Sequence, residues 1–173
     1  DITLVTGRLS LTRGAEITSG TWSLGKGGNI TIDARESIII TGEGYAASSD
    51  LYAYSGIFTS SCARCSKAGN AGNITLTTRN LLLASEPASI IGDIAADAKG
   101  TGIGATAGSV SGGNITVNAD HIQLLNGAGI NSSVSGNQFS DGGTITINSA
   151  SLVILNGSKI TAQATQGKGG NLL

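Results

Sequence analysis

The sequence has few of the residues from which most globular proteins build their cores and active sites. Aromatic residues make up 3% of the 173 residues and charged residues 12%, and there is one proline, one histidine and no methionine. The formal net charge is −1, without a run of Lys or Arg, so the basic surface that nucleic-acid binding needs is missing. No apolar run reaches the roughly 20 residues of a membrane-spanning helix. We therefore expect neither nucleic-acid binding nor insertion into a membrane.

Glycine and β-forming residues are abundant instead. The chain has 27 glycines, and Ile, Leu, Val, Thr, Ser and Asn are frequent. This composition favours strands and turns over helices. Because the chain lacks Met and begins and ends inside a repeat, we expect it to be a segment of a longer protein.

A short motif of two small residues, an Asn and an apolar-Thr-apolar triplet recurs along the chain. It reads GGNITI at 27–32, AGNITL at 71–76, GGNITV at 112–117, GGTITI at 142–147 and, shortened, GGNLL at 169–173. The triplets begin at Ile2, Ile30, Ile74, Ile115 and Ile145, with spacings of 28, 44, 41 and 30 residues. We interpret the unit as about 28 residues, with insertions in two copies.

Each unit is predicted to contain three short strands, which in the clearest copy are residues 145–148, about 151–155 and about 159–164. Two further columns support this alignment. A second-strand column is apolar except at Ser37, and a third column contains Ile17, Ile57, Ile90, Ile130 and Ile160. Between the second and third strands, a turn that needs positive φ is predicted at Gly14, Gly42, Gly127 and Gly157.

A unit this small cannot bury its own apolar face, so successive units must stack. Period-2 alternation then turns the apolar residues of the triplet inward and its Thr outward. The predicted inward ladder contains Ile30, Ile74, Ile115 and Ile145. The paired glycines are expected to make a tight corner. Beside them, a second ladder of Asn side chains is expected to hydrogen-bond from unit to unit, at Asn29, Asn73, Asn114 and Asn171.

The wording GGTITINSASLVILNGSKITAQATQGKGGN of residues 142–171 resembles repeats of filamentous-haemagglutinin-like exoproteins, which bacteria export by two-partner secretion, and in particular their cyanobacterial members. The resemblance covers essentially the whole chain. It implies an all-β fold, a right-handed parallel β-helix or solenoid, here of about five coils with three strands each. It also implies export through an outer-membrane transporter and a secreted or outer-membrane-associated location. The implied role is a non-catalytic structural or adhesive stalk.

The insertions are the predicted contact surfaces on this rod, because loops on a rigid scaffold commonly carry specificity. We place them near residues 43–70 and 95–112 of a single domain spanning 1–173. The first gathers most of the aromatic residues of the chain, Tyr45, Tyr52, Tyr54 and Phe58. These rings either contact a ligand, such as a surface glycan, or cover the flank of the rod.

The one cysteine motif is Cys62-Ala63-Arg64-Cys65. A zinc site would need four ligands, and the single histidine, His121, lies two repeats away without a second CxxC. For an exported protein we favour a disulfide between Cys62 and Cys65, with a free or intermolecular thiol as the alternative.

We predict no catalytic residue, metal or cofactor, because the acidic residues are scattered without forming a column. Two other functions remain as alternatives. Open coil ends present unpaired strand edges, which would suit a self-assembling extracellular fibre that binds other copies of itself. A carbohydrate-active β-helix enzyme would instead need a pair of carboxylates facing one cleft.

Overall fold

The computed structural model describes residues 1–21, 23, 25–45, 52–61, 69–85, 101–107, 111–134, 141–165 and 167–173, and these ranges contain strands and no helix. The twelve strands are β1 (Ile2–Thr12), β2 (Glu16–Gly20), β3 (Ile30–Thr41), β4 (Glu43–Tyr45), β5 (Tyr52–Tyr54), β6 (Gly56–Ser60), β7 (Ile74–Ala84), β8 (Gly102–Ala107), β9 (Ile115–Leu125), β10 (Gly129–Val134), β11 (Ile145–Ile154) and β12 (Lys159–Ala164).

Ten of these strands form two parallel sheets that the chain visits alternately. Sheet A has the order β1-β3-β7-β9-β11, and sheet B has the order β2-β6-β8-β10-β12. One strand of sheet A and the next strand of sheet B form what we call a rung, and the five rungs stack in chain order. The antiparallel hairpin β4-β5 interrupts the second rung. The prediction of an all-β, parallel architecture is confirmed at this level.

Each strand of sheet A covers two segments that the sequence predicts as separate strands. Exposure alternates along β9 except at its middle, where Asp120 and His121 are both exposed. The alternation of inward and outward side chains shifts by one residue here, and the strand bends. Val117 before the bend and Ile122 after it therefore enter the same core. A rung therefore contains two strands rather than three, because the bend needs no turn residues.

Strand β3 carries one more residue than its neighbours, and the extra residue lies at the bend. The pairing of β3 with β1 and β7 shifts between Ala34 and Ser37, as in a β-bulge. Ile38, one residue beyond Ser37, is the partner of Leu9 and Leu81. The apolar column is therefore unbroken, and the alignment that put Ser37 in it was wrong by one residue.

The predicted inward ladder of sheet A is confirmed. Ile30, Ile74, Ile115 and Ile145 are fully buried, and each pairs with the next in register. They share one core cluster with residues of sheet B such as Ile57 and Ile130. Like residues therefore pack on like residues from one rung to the next.

The third-column prediction fails in the third rung. Ile103, rather than Ile90, is the buried partner of both Ile57 and Ile130. Within the predicted insertion 95–112, Gly102–Ala107 is the core strand β8. Gly56–Ser60 of the predicted insertion 43–70 is likewise the core strand β6.

In the second and third rungs, additional residues separate the strand of sheet A from the following strand of sheet B. The hairpin β4-β5 lies between Gly42 and Ser55, and residues 86–100, which lie outside the described ranges, come between Ser85 and Thr101. The Thr101 hydroxyl donates to the Gly42 carbonyl at 3.2 Å, and the Gly102 amide donates to the Ser55 carbonyl at 3.1 Å. These bonds align the corner of the third rung, at Thr101 and Gly102, with the corner of the second rung, at Gly42 and Ser55.

The paired glycines are required for close approach between rungs. A Cβ on Gly113 would overlap the carbonyl oxygen of Gly72, and a Cβ on Gly143 would overlap that of Gly113. The predicted left-handed turns occur elsewhere, at Gly14, Gly42, Gly127 and Gly157, with φ of 82°, 77°, 80° and 77°. The recurring GG motif is therefore required by the short distance between rungs, whereas the glycines with positive φ are required by the geometry of the turns.

We predict that Gly113→Ala destabilises the protein by about 3 kcal/mol, because the new methyl group forces two rungs apart. Gly129→Ala is the matched control, since a Cβ there meets its nearest neighbour, the Lys159 carbonyl oxygen, at an ordinary 3.5 Å. Its effect should stay within about 0.5 kcal/mol. Urea denaturation of both variants measures the difference, and equal midpoints would contradict the close-approach explanation.

Candidate functional site

The predicted Asn ladder is present, with the side chain of one rung bound to the backbone of the next. The Oδ1 atom of Asn29 accepts from the Asn73 amide, Oδ1 of Asn73 accepts from the Asn114 amide, and Oδ1 of Asn114 accepts from the Thr144 amide, all at 2.9 Å. The carboxylate of Asp1 takes the same position ahead of Asn29, at 2.7 Å. At Asn171 the contact is through the backbone, since its carbonyl accepts from the Ile145 amide at 2.9 Å, and its side-chain bond stays a prediction. The ladder therefore aligns successive rungs beside the glycine corner.

We predict that Asn73→Ala costs about 1 kcal/mol of stability, because the Asn114 amide loses its acceptor. Asn73→Asp should retain most of the stability, since Asp1 already makes this contact with a carboxylate oxygen. Asn70→Ala is the control, because Asn70 bonds through its backbone carbonyl. Thermal unfolding would contradict the ladder's role if the Asn73 and Asn70 variants unfold at the same temperature.

The four aromatic candidates do not belong to one loop. Tyr45 and Tyr52 are backbone partners across the hairpin, and their side chains lie outside the described part of the chain. Tyr54 ends the hairpin and is half-buried. Phe58 is part of β6, and its ring lies so close over Gly56 and Gly104 that a Cβ on either glycine would press against it. Its geometry therefore favours the role of covering the flank of sheet B.

Cys62 and Cys65 fall within residues 62–68, outside the described ranges. The disulfide between them stays a prediction. Among the described residues, no group of three or more His, Cys, Asp or Glu side chains is placed to hold a metal ion. Those residues also contain no helix long and apolar enough to cross a membrane.

His121 takes part in a side-chain contact that resembles half of a catalytic dyad. Its Nδ1 lies 2.8 Å from the hydroxyl oxygen of Ser151 in the next rung, and both residues are exposed. Asn80 and Ser37 take the same register position in earlier rungs. We interpret the pair as one step of a surface ladder.

Charged groups contribute little here. Arg8 and Glu36 form the one salt bridge among the described residues, at 2.6 Å, with side chains 76% and 52% exposed, and such pairs add little stability. Partial burial raises the pKa of Glu16 above its ordinary value of 4.5. The folded state therefore favours the protonated Glu16 carboxyl. This stabilisation is fully present below about pH 4.5 and is lost as the pH rises through the raised pKa.

The outer surface of sheet A has a shallow groove at the bend, with a volume of about 340 Å³. We call it the bend groove, and it is lined by Thr77, Thr78, Asn118, Ala119, Asp120, Asn148, Ser149 and Ala150. Sequence reasoning missed this groove because it exists only where the change of phase bends the strands. The runs of adjacent outward residues, such as Asp120 and His121, were the signal that could have revealed it.

Beyond the bend, sheet A also carries an apolar outer stripe that the sequence interpretation did not single out. Its members are the half-buried Ile39, Leu82 and Leu125 and the exposed Val153 and Leu155. The continuous apolar runs SIIIT, NLLLA and SLVIL could have predicted this stripe. A strand with apolar residues on both faces loses the alternation of apolar and polar residues.

Comparisons with known proteins leave the family open. No protein-family model, no curated protein and no solved structure matches this chain.

Proposed function

We propose that this chain is a structural and adhesive stalk segment of a secreted bacterial surface protein of the filamentous-haemagglutinin-like kind. In this proposal the two sheets are the walls of one right-handed parallel β-helix. The observation that carries the proposal is the in-register pairing of like residues, Ile30 with Ile74, Ile74 with Ile115 and Ile115 with Ile145. A stack of this kind extends in one direction by adding rungs.

The β-helix assignment is supported by how the chain moves between the sheets. It returns to sheet A after every strand of sheet B, and each return adds a parallel strand beside the previous one. About 98% of such parallel crossovers are right-handed. Residues of both sheets also share one buried cluster, as the facing walls of a single coil would.

A stalk role suits this architecture, because the rod can be lengthened by adding rungs that need no other support. Five rungs at about 4.8 Å spacing span roughly 19 Å from first to last, and every rung contributes core residues of its own. Since each rung contacts mainly its neighbours, such a chain can fold progressively. Progressive folding suits the proposed export through an outer-membrane two-partner-secretion transporter, and surface glycans are the proposed partners outside the cell.

The proposal predicts that antibodies against the 173-residue chain label intact, unpermeabilised cells of the source bacterium. Deleting the partner transporter should remove this surface label while the protein accumulates inside. Fluorescence microscopy before and after permeabilisation measures both effects. Label that appears only after permeabilisation of wild-type cells would overturn the proposed location and, with it, the stalk function.

A self-assembling fibre subunit is the second candidate, favoured by the edge of sheet A. Leu152 and Ile154 occupy core positions on β11 yet are 43% and 41% exposed, whereas their partners Ile122 and Leu124 are fully buried. Either a further rung of the same polypeptide or β1 of a second copy would cover them. Concentration-dependent sedimentation of the chain would favour the second copy.

A carbohydrate-active enzyme has less support. It needs two carboxylates facing one cleft. Asp120 is the one acidic residue that lines the bend groove.

A further inference from the structure

We propose that the bend groove binds an uncharged oligosaccharide whose chain runs along the stack of rungs. This inference rests on the proposed adhesive function, and it assigns the contact to the wall of the rod rather than to the insertions. Three properties of the groove support it: its shape, its polar atoms without partners in the described residues, and its repeat.

The groove is concave because the side chains between its two rims take inward-facing positions. Thr78 and Ala119 are each only 7% exposed, and Ala119 belongs to the core cluster. Thr78, Ala119 and Ser149 pair in register and form the floor across three rungs. One rim contains Thr77, Asn118 and Asn148, which also pair in register. The opposite rim contains Asp120 and Ala150. A ligand lying in the groove would therefore follow the stacking direction.

The floor hydroxyls are already engaged, which fixes the shape of the groove. Thr78 Oγ1 donates to the Asn80 carbonyl at 3.4 Å, and Ser149 Oγ lies 2.7 Å from the Ser151 carbonyl oxygen. Each bond spans the bend of its own strand. Since these contacts form without ligand, little conformational freedom is lost on binding.

The rims, in contrast, present polar atoms without partners in the described part of the chain. Asn148 donates from Nδ2 to Asn118 Oδ1 at 2.8 Å, which leaves Nδ2 of Asn118 as a donor and Oδ1 of Asn148 as an acceptor. The carboxylate of Asp120 adds acceptors facing the same groove. A sugar hydroxyl both donates and accepts, so it matches this mixture of groups.

Other classes of ligand fit these groups less well. A polyanion such as nucleic acid would meet Asp120, the single charged residue of the lining. An extended peptide that adds a strand needs a free sheet edge, whereas this groove lies on the face of paired strands. An apolar ligand would bury the amides and the carboxylate without partners, which is costly.

The repeat of the groove also suits a saccharide chain. Neighbouring rungs are about 4.8 Å apart, close to the advance of one sugar in an extended hexopyranose chain. The three rungs of the groove therefore span about 10 Å, which accommodates two to three sugars. Because the groove is shallow and offers few polar contacts, we expect a Kd on the order of 1 mM.

The test is an NMR titration of the isotope-labelled chain with cellotriose, mannotriose and laminaritriose, each up to several times the expected Kd. At least one trisaccharide should cause saturable shifts at the backbone amides of residues 118–120 and 148–150. Asn118→Ala should weaken that binding about fivefold, as expected for one lost hydrogen bond.

A steric pair of variants makes the test specific. Ala150→Trp should abolish the shifts, because the exposed Ala150 lies on the rim and its replacement would fill the groove. Gln123→Trp is the matched control, with the same bulk at an exposed position of β9 outside the groove, and it should bind as wild type does. The spectrum of each free variant verifies that the fold is retained.

Several results would overturn the inference. These are the absence of saturable shifts with all three sugars, unchanged binding by Ala150→Trp, shifts centred on Tyr54 and Phe58 instead, or tighter binding of a sulfated trisaccharide. Failure of the stalk proposal is distinguishable, because it appears in the cell-surface labelling. A chain that binds trisaccharide in the groove but is never found at the surface would sustain the site and overturn the stalk.

Discussion

Hydrogen bonding between successive rungs, in register over the whole stack, is the interaction on which every other feature of this protein depends. It places each side chain over its counterpart, so that Ile30, Ile74 and Ile115 form a continuous core although no single rung could bury one. The same spacing requires glycine where Gly72 and Gly113 meet, and it lets Asn73 reach the backbone of the next rung. Core, corner and ladder are thus three consequences of one repeat distance.

The irregularities in the described part of the chain lie where they do not disturb that stacking. The extra residue of β3 lies at the bend, where Arg35 and Glu36 both face solvent, and the apolar column resumes at Ile38. The hairpin β4-β5 leaves and returns at one corner, between Gly42 and Ser55. Variation at bends and corners leaves the core intact, so these are the positions where such a rod can acquire binding surfaces. The bend groove is one of them.

Much of the fold could be predicted from the sequence, because in a stacked repeat the local pattern also determines the long-range contacts. The triplet at Ile115 identified both a strand and its neighbours, and Gly127 identified a turn. Two kinds of error had physical causes. The apolar pair beginning at Ile90 imitates a core column, and only the pairing with Ile57 shows that Ile103 fills that position. The second kind concerns features formed by residues that lie side by side in adjacent rungs, namely the packing of Phe58, the bend groove and the outer stripe. The spacing of residues along one chain does not reveal these neighbours.

The central claim is that successive rungs stack in register and add to the rod one by one, and inserting rungs tests it most directly. One or two extra copies of residues 115–144, placed directly after residue 144, should lengthen the particle by about 4.8 Å per copy in small-angle X-ray scattering. The urea midpoint should rise with each copy, because every copy adds one more interface between neighbouring rungs. A particle that expands in all directions, or a midpoint that falls with each insertion, would contradict the account.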